Sequence, residues 1–210
     1  MNGSESLLKP QECAALFVDF QAGLAFGVES QPRQVLLNNA VALARTTQAF
    51  EVPTVVSTSA THVYSGPLLP ALQAALPGIQ AIERRNMNVW EDEKARGAVI
   101  ATGKKRLLVA GLLTEACVSF PTLSALREGF EVFVVADACG GLTPAGHDLA
   151  LRRLESAVAQ LTSWLQVLLE FQRDWTRKET YEGARSVVVD HAGGYGIGLA
   201  YAREMIHPTG

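Results

Sequence analysis

Two residue types in this chain stand where they could do chemistry together, a cysteine and an aspartate. Cys117 lies in the run Gly111-Leu112-Leu113-Thr114-Glu115-Ala116-Cys117-Val118, where an apolar stretch ends at glycine and a helical pattern opens with Thr114 as its N-cap. A thiol in a first helical turn sits among backbone N–H groups that lack intrahelical partners and can hold a thiolate or an oxyanion. The helix dipole is expected to lower its pKa. Pro121, four residues on, cannot donate to the Cys117 carbonyl, so a helix distortion is expected just past the thiol. Asp19 closes the apolar run Leu16-Phe17-Val18 and, set among Phe17, Phe20 and Leu24, would be a partly desolvated carboxylate able to act as a base. Its plainer role is to cap a strand-to-loop turn. Cys13 and Cys139 have no glycine-bounded strand and helix start around them, and they read as small buried hydrophobes.

Other candidate chemistries fail on spacing. His62, His147, His191 and His207 form no HxH or HxxxH pattern, and the three cysteines form no CxxC, so no metal site is expected. The cluster Gly193-Gly194-Tyr195-Gly196-Ile197-Gly198 resembles a dinucleotide loop, but the third glycine position is Leu199 or Tyr201. Too little chain follows to complete a βαβ unit of roughly 30 residues. A flexible turn or an oligomer-contact arm is the better expectation, and no cofactor is expected.

These side chains need a frame. Apolar runs at 14–18, 54–58, 106–110 and 131–135 are nearly continuous rather than alternating, as in strands covered on both faces. Helical patterns lie between them, at 35–50, 93–102, 115–128, 144–157 and 164–171, the second and third stopping at Gly103 and Gly129. Residues 158–161 supply one more short strand. The expectation is an α/β fold, a doubly wound, mostly parallel six-stranded sheet with helices on both faces. Function then gathers beyond the carboxyl ends of the strands, at Asp19, Ser59, the 111–117 segment and Asp137.

Composition narrows the class further. With 210 residues, 48% hydrophobic and 19% charged, the chain can close a core without disulfides. The net charge is -3 and no Lys/Arg run exceeds two residues, which argues against nucleic acid as a partner. No stretch approaches the ~18 apolar residues of a membrane span. Residues 1–6 carry neither a basic leader nor an apolar signal core, and three cysteines are an odd number, so a cytoplasmic setting is expected.

Several quoted stretches together resemble the isochorismatase-like cysteine hydrolases, across about residues 12–175. They are Asp19 after an apolar first strand, a basic residue before Asn86-Met87-Asn88-Val89-Trp90, and Gly-Leu-Leu-Thr-Glu-Ala-Cys117. Asp19-Phe20-Gln21-Ala22-Gly23-Leu24, Ala101-Thr102-Gly103-Lys104-Lys105, Phe120-Pro121, Glu128-Gly129-Phe130-Glu131-Val132-Phe133-Val134-Val135 and Arg173-Asp174-Trp175 look like the YcaC-like subgroup. The resemblance implies a Rossmann-like three-layer sandwich and an Asp–Lys–Cys triad. Asp19 and Cys117 match, while the lysine position holds Arg84, with Arg85 as its neighbouring alternative. Arginine stays charged and cannot shuttle a proton. The resemblance also implies a cis peptide at Leu112–Leu113 and an oxyanion hole from the N–H groups of Leu113 and Cys117. The nicotinamidase branch carries an Asp/His metal site after the second strand, which Ser57-Thr58-Ser59-Ala60-Thr61-His62 does not match. The isochorismatase branch proper lacks the cysteine.

The implied reaction is hydrolysis of a small-molecule amide or related C–N bond through a Cys117 thioester. Gln21, Leu24, Asn88 and Trp90 are candidate substrate contacts, Trp90 equally suiting a core position. The alternatives are a thiol sensor or an inactive scaffold, the latter suggested by Arg84. Residues 1–175 form the expected hydrolase domain. Residues 176–210 form an extension whose apolar patches, 187–189 and 197–200, are expected to pack on another copy in a homo-oligomer.

Overall fold

Strands apolar on both faces need helices on each side, and that requirement organises the fold. The computed structural model describes residues 7–206. The expectation about a leader concerns residues 1–6 and lies outside the described residues, as do His207 and the last residues of the C-terminal arm. The described elements are β1 (Cys13–Val18), α1 (Ala22–Phe26), α2 (Arg33–Ala49), β2 (Thr54–Ser59), α3 (Pro70–Ala75), β3 (Ile82–Arg84), α4 (Glu93–Ala101), β4 (Arg106–Gly111), α5 (Ser119–Arg127), β5 (Glu131–Val135), α6 (Pro144–Ser156), β6 (Gln160–Thr162), α7 (Trp164–Gln172), α8 (Lys178–His191) and α9 (Gly193–Tyr201). The left-handed residues Gly103 and Gly129 follow α4 and α5, as their positions require.

The sheet has six strands in the order β3-β2-β1-β4-β5-β6, and every pairing is parallel. The chain winds outward from β1 through β2 to β3, then crosses to β4 and winds outward the other way. The reversal lies between β1 and β4, and a crevice opens beyond their carboxyl ends at such a point. All six residues of β1 are buried. Helices α3, α7 and α8 pack on α2, and α6 packs on α5.

Three elements depart from expectation. β3 has only three residues, two of them charged, and shows no apolar run. β6 begins two residues later than expected, because Val158 takes a left-handed conformation (φ 67°) in the turn after α6. The glycine cluster is helical rather than a flexible turn. A Cβ on Gly196 would lie 2.5 Å from the carbonyl oxygens of Val188 and Val189, so the missing side chain lets α9 lie directly against α8.

The extension is also less independent than expected. Ala184, Val187 and Val188 of α8 are buried in the main core, and Arg45 of α2 donates to Asp190 at 2.6 Å. Two of the valines assigned to an oligomer contact are thus covered by the domain itself. Tyr195, Ile197, Tyr201, Met205 and Ile206 remain exposed.

At the end of β4, Gly111 lies opposite Val18. A Cβ there would sit 2.4 Å from the Val18 carbonyl oxygen, a backbone atom that cannot turn aside. Gly111→Ala is expected to destabilise the fold by about 1–3 kcal/mol, read as a lower thermal midpoint; an unchanged midpoint would contradict this account of the junction.

Candidate active site

Asp19 is the first residue beyond β1. Its N–H donates to the Ser57 carbonyl at 2.9 Å, its φ is 57°, and it is fully buried. Aspartate tolerates this left-handed geometry better than most residues. Arg84, the last residue of β3, reaches it with both terminal nitrogens. Nη1 donates to Oδ1 and Nη2 to Oδ2, each at 2.6 Å. Neither side chain is exposed to solvent. Nη1 also donates to Ser57 Oγ at 3.2 Å, and Nη2 to the Met87 carbonyl at 3.1 Å. Nε finds no acceptor among the described residues. Of the two arginines, Arg84 faces Asp19, and Arg85 is exposed.

Cys117 lies in a wide turn, Thr114–Val118, that precedes α5 and carries i to i+5 hydrogen bonds. The Val118 N–H donates to the Leu113 carbonyl at 3.2 Å, and the Ser119 N–H to that of Thr114. The distortion expected just past the thiol therefore includes the thiol's own turn. Leu113, not Thr114, is the N-cap residue. Thr114 instead pins the turn from the side, its hydroxyl 2.8 Å from His147 Nδ1 and its N–H donating to the Gly140 carbonyl at 2.9 Å. Glu115 Oε1 accepts from the Leu142 N–H at 3.0 Å. A Cβ on Gly141 or Gly146 would come within 2.8 Å of that oxygen, so the two glycines make room for the Glu115 carboxylate. The Leu112–Leu113 peptide is cis, as the resemblance implies.

The electrostatics at sulfur reverse one expectation. The thiol pKa is pushed up to about 12, first by burial, then by the Asp19 charge and the hydrogen bond between thiol and carboxylate. The Leu113 N–H and the Arg84 charge pull it down and lose. A single wide turn cannot offset burial beside a carboxylate, so the shift at the sulfur runs upward and favours the neutral thiol. Cys13 and Cys139 are fully buried.

Cys117 and Arg84 open onto a cleft of about 1030 Å³, which Asp19, fully buried, does not line. Leu24, Arg84, Leu113, Ala116 and Cys117 line it, as does Ser59 at the end of β2. Gln21, Asn88 and Trp90 do not line it. Gln21 is fully buried and both ends of its amide are engaged: Nε2 donates to the carbonyls of Ser59 and Gly66 and to Thr61 Oγ1, and Oε1 accepts from the Ser59 N–H. It anchors the wall without touching what the wall encloses. Asn88 accepts from the Trp90 N–H and donates to Glu91 and Ser124. Trp90 packs edge-on against Phe130, their ring centroids 5.3 Å apart. Asp137, at the end of β5, accepts from the Trp164 N–H at the start of α7.

The wall also holds residues not singled out as contacts from the sequence, among them His62 and Val63 from the turn Thr61–Ser65, and Asn86 and Met87 after β3. Neither stretch has a helical or alternating pattern that would place it beside Cys117. Among the described residues, no three His, Cys, Asp or Glu side chains gather in a way that could hold a metal ion. No helix among them is long and apolar enough to cross a membrane.

An all-parallel sheet with a thiol, a carboxylate and a guanidinium at its switch point defines a class of protein. Residues 13–166 match the family described as the isochorismatase domain. The chain belongs to the isochorismatase family and is a hydrolase. It is similar to the probable hydrolase YcaC of Escherichia coli (strain K12), at 41% identity over 189 residues, covering 90% of each chain. Two solved structures are similar along nearly their whole length. One is YcaC from Pseudomonas aeruginosa with hexane-2,5-diol and covalent acrylamide, at 41% identity and TM-score 0.88, covering 93% of this chain and 96% of that one. The other is the Escherichia coli YcaC gene product, an octameric hydrolase of unknown specificity, at 39% identity and TM-score 0.90, covering 96% and 98%.

The neutral thiol has a kinetic signature. With its pKa near 12, alkylation of Cys117 by iodoacetamide is expected to keep rising with pH through the range near 8.5 where ordinary thiols level off. Mass spectrometry of quenched samples reads the rate. A plateau near the ordinary thiol value would show a solvated sulfur.

Proposed function

We propose that this protein is a cysteine hydrolase that cleaves a small-molecule amide or related C–N bond through a thioester on Cys117. The observation that carries the reading is a half-buried Cys117 on the wall of an open cleft also lined by Arg84, which holds the buried Asp19 carboxylate at both oxygens. Asp19 takes the thiol proton as sulfur bonds to the carbonyl carbon, so free thiolate need not accumulate. The N–H groups of Leu113 and Cys117 receive the oxyanion; the Leu113 N–H already bears on the sulfur. As the intermediate collapses, the C–N bond breaks and Asp19 returns the proton to the leaving amine. Water, deprotonated by Asp19, then attacks the thioester; the acid departs and the thiol regains its proton. Arg84 holds the Asp19 carboxylate at both oxygens and carries no proton itself. Asp19 is therefore the only proton carrier in this scheme.

The Pseudomonas aeruginosa relative supports the reading, since it carries covalent acrylamide. Acrylamide is an acceptor for soft nucleophiles, and Cys117 is the thiol lining the cleft here. We further propose a cytoplasmic setting, which suits unpaired cysteines. We also propose a homo-oligomer like the octameric Escherichia coli relative, in which residues 176–210 contribute the exposed face of α9.

Cys117→Ala is expected to lower turnover of a responsive amide by about 10³-fold or more, with the acyl adduct on the Cys117 peptide lost from mass spectra. Turnover at the wild-type rate would end the thioester reading. Light scattering at micromolar concentration is expected to show a multimer that Ile197→Glu weakens; a monomeric wild-type protein would remove the oligomer proposal.

A further inference from the structure

The charged residues in the cleft wall differ in what they already hold. Glu83 accepts from Thr58 Oγ1 and from the N–H and hydroxyl of Thr61. Asp92 caps α4 by accepting from the Ala95 N–H at 2.9 Å. Arg84 is bound to Asp19. Arg85, exposed on the same wall, has no hydrogen-bond or ion-pair partner among the described residues. Asn86 beside it also lines the cleft and is exposed. A second, independent observation lies deeper: the Nε–H of Arg84 is buried without an acceptor, and Arg84 itself forms part of the wall. An exposed Arg85, a full positive charge with no partner among the described residues, thus shares a cleft with the nucleophile. Ser59 and His62 also line the wall, beside an apolar part made of Leu24, Leu113 and Ala116 together with Val63 and Met87, which are exposed by 88% and 61%.

We infer that Arg85 is a specificity-determining residue that receives a carboxylate, and that the substrate is a small, carboxylate-bearing amide with a short apolar body. This deepens the proposed hydrolase reading and rests on it. The amide carbonyl meets Cys117 and the Leu113 N–H, the apolar body lies along Leu24 and Met87, and the carboxylate faces Arg85 and Asn86. A guanidinium suits that end because its planar fork matches carboxylate geometry. An unpartnered rim arginine also raises the local concentration of anions before they bind.

Two alkylating probes of similar size test the charge preference without requiring amidase activity. Iodoacetate carries the carboxylate, iodoacetamide does not, and Cys117 is the reactive thiol because Cys13 and Cys139 are fully buried. In Arg85→Gln, the iodoacetate rate at Cys117 is expected to fall about fivefold while the iodoacetamide rate stays within a factor of about two, and Arg85→Lys restores part of the loss. Equal changes in both rates, or no change in either, would overturn the assignment of Arg85. Turnover of a carboxylate-bearing amide is then compared with that of its methyl ester. If the acid form is preferred by the wild-type protein and the preference is lost in Arg85→Gln, the substrate class stands. Absence of turnover of either form, alongside a selective iodoacetate effect, would sink the hydrolase reading and leave the anion site in place.

Discussion

The site depends on one interaction, the buried double hydrogen bond between Arg84 and Asp19. Each charge alone would be costly to remove from water, and breaking such a pair by deleting one partner typically costs about 3–5 kcal/mol. The pair survives because the geometry is bidentate at 2.6 Å and Ser57 and Met87 take further arginine N–H groups. It joins the end of β3 to the end of β1 across β2. A contact spanning three strands sets the position of the carboxylate, and the carboxylate adds to burial in raising the pKa of Cys117.

The fold supplies that pair with its third member by topology. β4 returns beside β1 after the chain has wound outward, and the close approach at Gly111 delivers the cysteine turn to the same edge. The turn is then held from outside by Thr114 against His147 and Gly140, and by Glu115 against the Leu142 N–H. Position at the sulfur is over-determined: strand pairing sets it on one side and polar contacts on the other. The proposed reaction, which must bring nucleophile, base and oxyanion donors into register, needs that rigidity.

Much of this was legible in the sequence, for reasons that differ by element. Continuous apolar runs marked β1, β2, β4 and β5, because a strand covered on both faces leaves a run that no surface element needs. Glycines that end α4 and α5 marked those boundaries. β3 was illegible because Ile82-Glu83-Arg84 is an edge strand of three residues that carries functional charge in place of apolar pattern. Gln21 was misread as a contact because a polar residue near a reactive group is ambiguous until its partners are known. The glycines of α9 were misread because a glycine that allows two helices to touch looks, in sequence, like one that allows a turn. The direction of the Cys117 shift was misjudged because the dipole argument is local, whereas burial and Asp19 come from the tertiary fold.

The upward shift of the Cys117 pKa has a consequence for its resistance to oxidation. Peroxides attack the thiolate far more readily than the thiol, so a sulfur that keeps its proton is shielded from sulfenic and sulfinic acid formation between turnovers. In the proposed reaction such a sulfur is armed only while a carbonyl group is present to take the electrons. A redox sensor needs the opposite poise.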